Sequence, residues 1–379
     1  MALKKLLMIP GPTPLPQEVK LAMAREMVGH RSKDFSALFK EVIPMLKKCF
    51  QTEGDVMVMP GSGTIGMEAA VANIISPNDK AVVLNTGNFG GRWTKILKAY
   101  GAQVVEIKYA SGQAAQPEDL QKALEENKDA KAVYLQHNET STAVLNDVKA
   151  LAEIAHKYGV LTVVDSISGL LTADLPMDQW KLDVVVAGAQ KAFMIPPGLA
   201  MVAVSKKFWE VQKNSKSPKF YMDLAWYKKT YDEKGETPTT PAVSLIVGLH
   251  EALKLILAEG LPNMFKRHEK MMQSARAGAR ALGLKLLAED KNASRAVTAV
   301  TGDFDCEALR KIVREKYGIT LAGGQGDLKG KIFRIGHLGY AQETDILVAY
   351  SAIEQALIEM GQKIEIGASL SAIQKEIVK

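Results

Sequence analysis

Residues 184–204 read VVVAGAQKAFMIPPGLAMVAV, two apolar runs, Val184–Ala187 and Met201–Val204, separated by Lys191 and the turn Pro196-Pro197-Gly198. Short continuous apolar runs bounded by turn residues are what a strand buried on both faces requires, and such strands belong to sheets with helices on either side. Working outward, the same signature recurs at Val56–Met59, Ala81–Leu84, Val104–Ile107, Ala132–Leu135 and Val160–Val164. Helical patterns stand between them. Pro117 followed by Glu118 and Asp119 opens one, and Asp147 opens another that runs to Tyr158 and stops at Gly159. The expectation is an α/β fold with a mostly parallel seven-stranded sheet covered by helices.

Beyond the sheet, Ser215 to Pro241 shows no clear periodicity and reads as a long ordered loop. A helical pattern then runs from Val243 through Leu249, Leu253 and Leu257 to Gly260, and another from Pro262 to about Leu282. Strand-like 296–300, a helix near 306–317 and a strand 331–335 follow, the mix of a smaller α+β unit. The chain is expected to divide into an N-terminal arm (1–15), a large domain (16–259) and a small C-terminal domain (260–379), a size that suits the 379 residues.

Composition narrows the function classes. The net charge of +6 is spread over 48 basic and 42 acidic residues with no block of five like charges, which argues against a nucleic-acid surface. Two cysteines, Cys49 and Cys306, supply neither a disulfide framework nor a cysteine-rich metal site, and fit a reducing cytoplasm. The apolar run Leu6–Ile9 is too short for a secretory signal, and no segment reaches the length of a membrane span.

Three features fall at the carboxyl ends of expected strands, where open parallel sheets hold their ligands. Gly61-Ser62-Gly63-Thr64 leads from a strand into a helix, whose amino terminus offers amides and a positive dipole end to a phosphate. It lacks the Gly-Lys-Ser/Thr ending of a nucleotide loop, and by itself is equally a tight connection. Asp165 ends a strand, where a carboxylate can bind a metal, a ribose or a protonated heterocycle, or simply cap a helix. Lys191, between an apolar strand and a proline turn, is either a solvated lysine or a desolvated nucleophile. One cofactor needs all three together: pyridoxal 5'-phosphate takes a phosphate cradle, a Schiff-base lysine and a carboxylate opposite its ring nitrogen. Lys191, once freed by a substrate amine, can also move the Cα proton.

With these residues in view, the chain resembles the class-V aminotransferases of fold type I, in particular the alanine:glyoxylate and serine:pyruvate group. The similarity covers nearly the whole chain, through Pro10-Gly11-Pro12-Thr13, Gly29-His30-Arg31-Ser32, GSGTIGMEAA (61–70), Asn85-Thr86-Gly87-Asn88-Phe89-Gly90, HNETST (137–142), VVDSISG (163–169), GAQKAFMIPPG (188–198), TPTTPAVS (237–244) and FRIGHLG (333–339). The resemblance implies that Lys191 carries the cofactor and Asp165 pairs with its ring nitrogen. Ile167 and Phe89 flank the ring, Ser62, Gly63, Thr64 and Gln190 contact the phosphate, and Thr140 bonds the phenolic oxygen. Thr237 and Thr240 match phosphate contacts from the second subunit of a homodimer, Arg334 the grip on the substrate α-carboxylate, and Gly11 the lining of the substrate pocket. Thr64 stands where some relatives have histidine, and Thr237 where some have tyrosine.

The activity so implied is two-stage transamination, with alanine or serine as donor and glyoxylate or pyruvate as acceptor. Aspartate and 2-aminoethylphosphonate are alternative donors. Cysteine desulfuration shares the fold but needs a cysteine on a loop near Arg334, and the stretch 323–331 has none. A non-catalytic subunit is the reading from a different class, against which an intact Lys191, Asp165 and Arg334 speak.

Overall fold

The computed structural model describes residues 3–379, so residues 1 and 2 of the expected arm lie outside the described residues. Each of the seven apolar runs becomes a strand of one sheet. Its spatial order from edge to edge is Asp55–Gly61, Gly198–Val204, Val184–Gly188, Leu161–Asp165, Ala130–Gln136, Lys80–Asn85, Gln103–Lys108. Gly198–Val204 alone runs antiparallel, to both of its neighbours. The reason lies in the opening stretch: the link 189–197 is shorter than the dozen or so residues a parallel crossover needs, so the chain doubles back.

Successive residues of the central strands face opposite layers, as the period of two requires. Val164 and Val185 join Phe35, Val42 and Leu253 on one face, while Val163 and Val186 join Met67 and Trp93 on the other. Asp147 caps the helix Val148–Lys157 by accepting from Ala150 N–H, and Pro117 stands at the first position of Pro117–Glu126, both as read from the sequence.

The second sheet has five strands, ordered Leu6–Met8, Ile319–Gly323, Phe333–Gly336, Val297–Thr301, Lys285–Leu286. The helices Leu261–Ala281, Cys306–Tyr317, Glu343–Glu359 and Ala368–Ile377 close its core. Its outermost strand comes from the start of the chain, pairing parallel with Ile319–Gly323. Helix Val243–Glu259 buries Ile246, Leu249 and Leu253 in the large-sheet core, and after Gly260 the next helix turns Met271, Ala275 and Ala279 into the small one.

One expectation is corrected. The stretch 215–241 is not loop throughout but contains the helix Leu224–Lys234, capped by Asp223 at its start and by Gly235 at its end. Only Leu224 and Tyr227 of that helix are buried, so it carries no apolar stripe for a periodicity reading to find. Among the described residues no helix is long and apolar enough to cross a membrane, and no cluster of side chains suits a metal ion.

Candidate active site

The carboxyl ends of the parallel strands converge on one pocket, lined by Ser62, Gly63, Thr64, Phe89, Arg92, Asn138, Thr140, Asp165, Ile167, Ser168, Gln190 and Lys191. Nine of these are residues the sequence singled out. The strand Asp55–Gly61 delivers the start of helix Gly63–Ile74, whose N-cap Ser62 makes no side-chain capping bond and so keeps its hydroxyl for a ligand. The first amides of a helix have no partner within it, which makes this turn a ready anion site.

Asp165 ends its strand fully inside the protein, its Oδ1 accepting from Ile167 N–H at 2.9 Å. No helix starts there, so the alternative of a helix cap is set aside. Burial pushes its carboxyl up to about 7; the Ile167 amide opposes that rise, and the nearby Glu139 charge adds to it. Burial pulls the Lys191 amine the other way, down to about 8, against the attraction of Asp165 and with the repulsion of Arg334 and Arg92. A lysine and an aspartate displaced toward each other around neutral pH are the electrostatic signature of a reactive pocket.

The N-terminal arm holds the lysine loop in place. Lys191 Nζ donates to the carbonyl of Pro10, Thr13 N–H donates to Gln190 O at 3.1 Å, and Thr13 Oγ1 donates to Lys191 O at 3.0 Å. Gly11 adopts a φ of +120°, and a Cβ there would stand 2.6 Å from Lys191 Nζ. Glycine is the residue that leaves the amine room.

Arg334 is buried at the seam of the two sheets. Its Nε donates to Gly323 O at 2.9 Å and its Nη1 to Thr140 O at 2.8 Å, while Nη2 makes no hydrogen bond among the described residues. Burial lowers its pKa to about 10, so it keeps its charge at neutral pH. Thr237 and Thr240 do not reach this pocket. Thr237 is buried elsewhere with its Oγ1 donating to Thr239 O at 2.8 Å, and exposed Thr240 meets His30 Nε2 at 3.2 Å.

Four residues that carry weight here escaped the sequence reading. Arg92, on helix Gly90–Ala99, donates to Thr64 Oγ1 at 3.0 Å and lies 4.8 Å from the Phe89 ring centroid. Buried Glu139 accepts from Phe89 N–H at 3.1 Å, from Gly90 N–H at 2.9 Å and from Ser141 Oγ at 2.6 Å, pinning the Phe89 loop to the Thr140 loop. Asn138 and Ser168 surround Thr140. The matched segments HNETST and VVDSISG contain three of the four, and that was the signal to follow.

The Aminotransferase class-V family model matches residues 7–330. An uncharacterized aminotransferase of Methanocaldococcus jannaschii is 43% identical over 382 residues, covering 100% of this chain and 98% of the relative. The small subunit of soluble hydrogenase from a Synechococcus species is 44% identical over 94% of each chain. Serine–glyoxylate aminotransferase of Arabidopsis thaliana is 34% identical over 97% of this chain and 93% of its own. Among solved structures, pyridoxamine-pyruvate aminotransferase from Mesorhizobium loti matches with a TM-score of 0.95 at 29% identity, over 100% of this chain and 98% of that one. The chain therefore belongs to the class-V aminotransferases, and is a transaminase of the fold those structures share.

Proposed function

We propose that the chain uses pyridoxal 5'-phosphate to move an amino group from a small amino acid, alanine or serine, to a small 2-oxo acid, glyoxylate or pyruvate, in two half-reactions at one pocket. The observation that carries this reading is the convergence of Lys191, Asp165 and the open helix amino terminus at Ser62–Thr64 on one buried pocket. Buried Asn138 Oδ1 and Gln190 Oε1 have no partner in the pocket, as expected of a cavity built around a polar ligand.

The residues fit the cofactor. Ser62, Gly63, Thr64 and Gln190 would hold its phosphate, with Arg92, which among the described residues has no carboxylate within ion-pair reach, as the adjacent cation. Phe89 and Ile167 would flank the ring, Thr140 would bond the phenolic oxygen, and Lys191 would anchor the group through Nζ. When bound, pyridoxal phosphate supplies an electron-accepting ring that takes up the pair left by loss of the Cα proton.

The chain's own residues do the rest. Burial draws the Lys191 amine down to about 8, toward the neutral form that a nucleophile and proton carrier needs. A cationic ring nitrogen would draw Asp165 back into the carboxylate form, and that carboxylate would keep the nitrogen protonated. Arg334, clamped through Nε and one hydrogen of Nη1, presents its remaining hydrogens as a rigid fork for the substrate carboxylate.

Small 2-oxo acids are supported by the names of the Arabidopsis and Mesorhizobium proteins. Aspartate and 2-aminoethylphosphonate stay as alternative donors. Cysteine desulfuration loses support because both cysteines are buried and burial raises their thiols, Cys49 to about 12 and Cys306 to about 11. Thr237 and Thr240, remote from the pocket of their own chain, are proposed to serve the second subunit of a homodimer in the cytoplasm. The Synechococcus relative's name favours a second reading, a transaminase that also docks into a larger complex. A clean dimer on size exclusion would count against that.

The test is a visible absorbance spectrum of the purified protein, with alanine, serine, aspartate or 2-aminoethylphosphonate added in turn. A yellow band that one donor bleaches is the expected outcome. No band after pyridoxal phosphate is supplied removes the role given to Lys191.

A further inference from the structure

Thr140 does not stand alone in the pocket. Its Oγ1 lies 2.6 Å from Ser168 Oγ, a contact in which either hydroxyl can be the donor. Ser168 Oγ also accepts from Asn138 Nδ2 at 2.9 Å and has a second acceptor within reach, the Asn138 carbonyl, at 3.2 Å. Asn138, Thr140 and Ser168 are each at least 95% buried and all line the pocket, and Asn138 Oδ1 has no hydrogen-bond partner among the described residues. Water has little access to this trio, so its protons are distributed by the protein.

A hydroxyl has one hydrogen and two lone pairs. The Asn138 amide already fills one lone pair of Ser168 Oγ, so the polarity of the trio turns on where the single Ser168 hydrogen goes. If it goes to Thr140 at the shorter distance, the Thr140 hydrogen is left to point into the pocket. If it goes to the Asn138 carbonyl, Thr140 must give its own hydrogen to Ser168 and can offer the pocket only a lone pair. The 2.6 Å contact is a hydrogen bond in either arrangement, so the ligand makes the choice: an anionic oxygen beside Thr140 draws the Thr140 hydrogen to itself and leaves the Ser168 hydrogen to fill that contact.

We propose that Ser168 is a positioning residue: held by the Asn138 amide, it hands its proton to Thr140 and thereby makes Thr140 a hydrogen-bond donor to the ligand. The inference rests on the cofactor reading above, and the oxygen so addressed is the ring's phenolic oxygen. The chain of donors runs Asn138 Nδ2, Ser168 Oγ, Thr140 Oγ1, and each link polarises the next. A donor held against that oxygen favours its anionic form and weakens its grip on any proton shared with the Lys191 nitrogen. Ser168 would then tune the pH at which the bound cofactor changes colour by way of Thr140.

The experiment is a pH titration of the visible band of the cofactor-loaded protein, for wild type, Ser168→Ala, Ser168→Thr, Thr140→Ala and the double variant Ser168→Ala/Thr140→Ala. Ser168→Ala is expected to move the midpoint to higher pH, in the same direction as Thr140→Ala and by a smaller amount. Ser168→Thr, which keeps the hydroxyl, should return it toward wild type, and the double variant should match Thr140→Ala alone because the two act in series. A normal band with an unmoved midpoint in Ser168→Ala, while Thr140→Ala shifts, overturns this proposal and leaves the cofactor reading standing. A wild-type protein with no band overturns both. If Ser168→Ala fails to fold, Asn138→Ala, which removes the amide that orients Ser168, takes its place with the same expected direction.

Discussion

At the scale of the residue, burial and charge pull against each other at Asp165. In the cofactor-free protein its pKa is about 7 folded against an ordinary 3.8, so the folded chain binds this proton more tightly than the unfolded one. That preference stabilises the fold at low pH and is lost as pH rises through about 7. Asparagine cannot ionise and escapes the loss. The melting temperature of Asp165→Asn minus that of wild type should therefore grow between about pH 4 and pH 7 in the cofactor-free proteins and level off above, and a difference independent of pH would contradict the buried carboxyl. The same variant should turn over about 100-fold or more slowly once loaded, since it gives up a preorganised charge. Lys191 and Asp165 were legible in the sequence because each closes an apolar run at the end of a strand. Arg92, Glu139 and Ser168 were not, because their importance comes from partners such as Thr64, Phe89 and Thr140 that folding brings beside them.

At the scale of the element, the N-terminal segment does more than trail from the large domain. Leu6–Met8 completes the edge of the small sheet, and five residues later Thr13 bonds the lysine loop of the large one, so a single short stretch ties both sheets at the candidate active site. Gly11 sits between these anchors with its φ of +120° and no room for a Cβ beside Lys191 Nζ. Gly11→Ala should weaken cofactor affinity by about 10-fold or more, given the usual cost of overpacking, while the far-ultraviolet circular dichroism stays that of wild type. Unchanged affinity in an absorbance titration would free Gly11 from this role. The sequence displayed the residues of this element but not its pairing, since three apolar residues before a run of prolines carry no mark of the strand they will join. Helix Leu224–Lys234 was hidden for the related reason that it buries too few residues to form a stripe.

At the scale of the whole molecule, the proposed dimer makes a prediction that no single chain can fake. If Thr237 and Thr240 complete the partner's pocket, Lys191→Ala and Thr237→Ala/Thr240→Ala are each defective alone, yet a mixed dimer contains one site with an intact lysine and intact threonines. Co-refolding the two should restore transaminase activity that neither shows by itself, and persistent inactivity despite mixed dimers would place those threonines outside the site. Within the chain, Arg31 holds the backbone of the segment 237–240, donating to Thr237 O at 2.6 Å and to Pro238 O at 3.1 Å, while Thr237 is buried and Thr240 is exposed.

What the sequence by itself determined is the sheet, its seven strands, and the residues standing at their carboxyl ends, because apolar runs, glycines and prolines act locally and their spacing survives in one dimension. It also exposed the family through ordered motifs spread from Pro10 to Gly339. Only the tertiary structure decided the reversed direction of Gly198–Val204 within the order of the sheet, the strand that the N-terminal segment lends to the small sheet, and the hydrogen-bonded trio of Asn138, Ser168 and Thr140. Each of these depends on contacts between residues distant in the chain, and on the burial that shifts the charge of a lysine or aspartate and ties a serine hydroxyl to its neighbours.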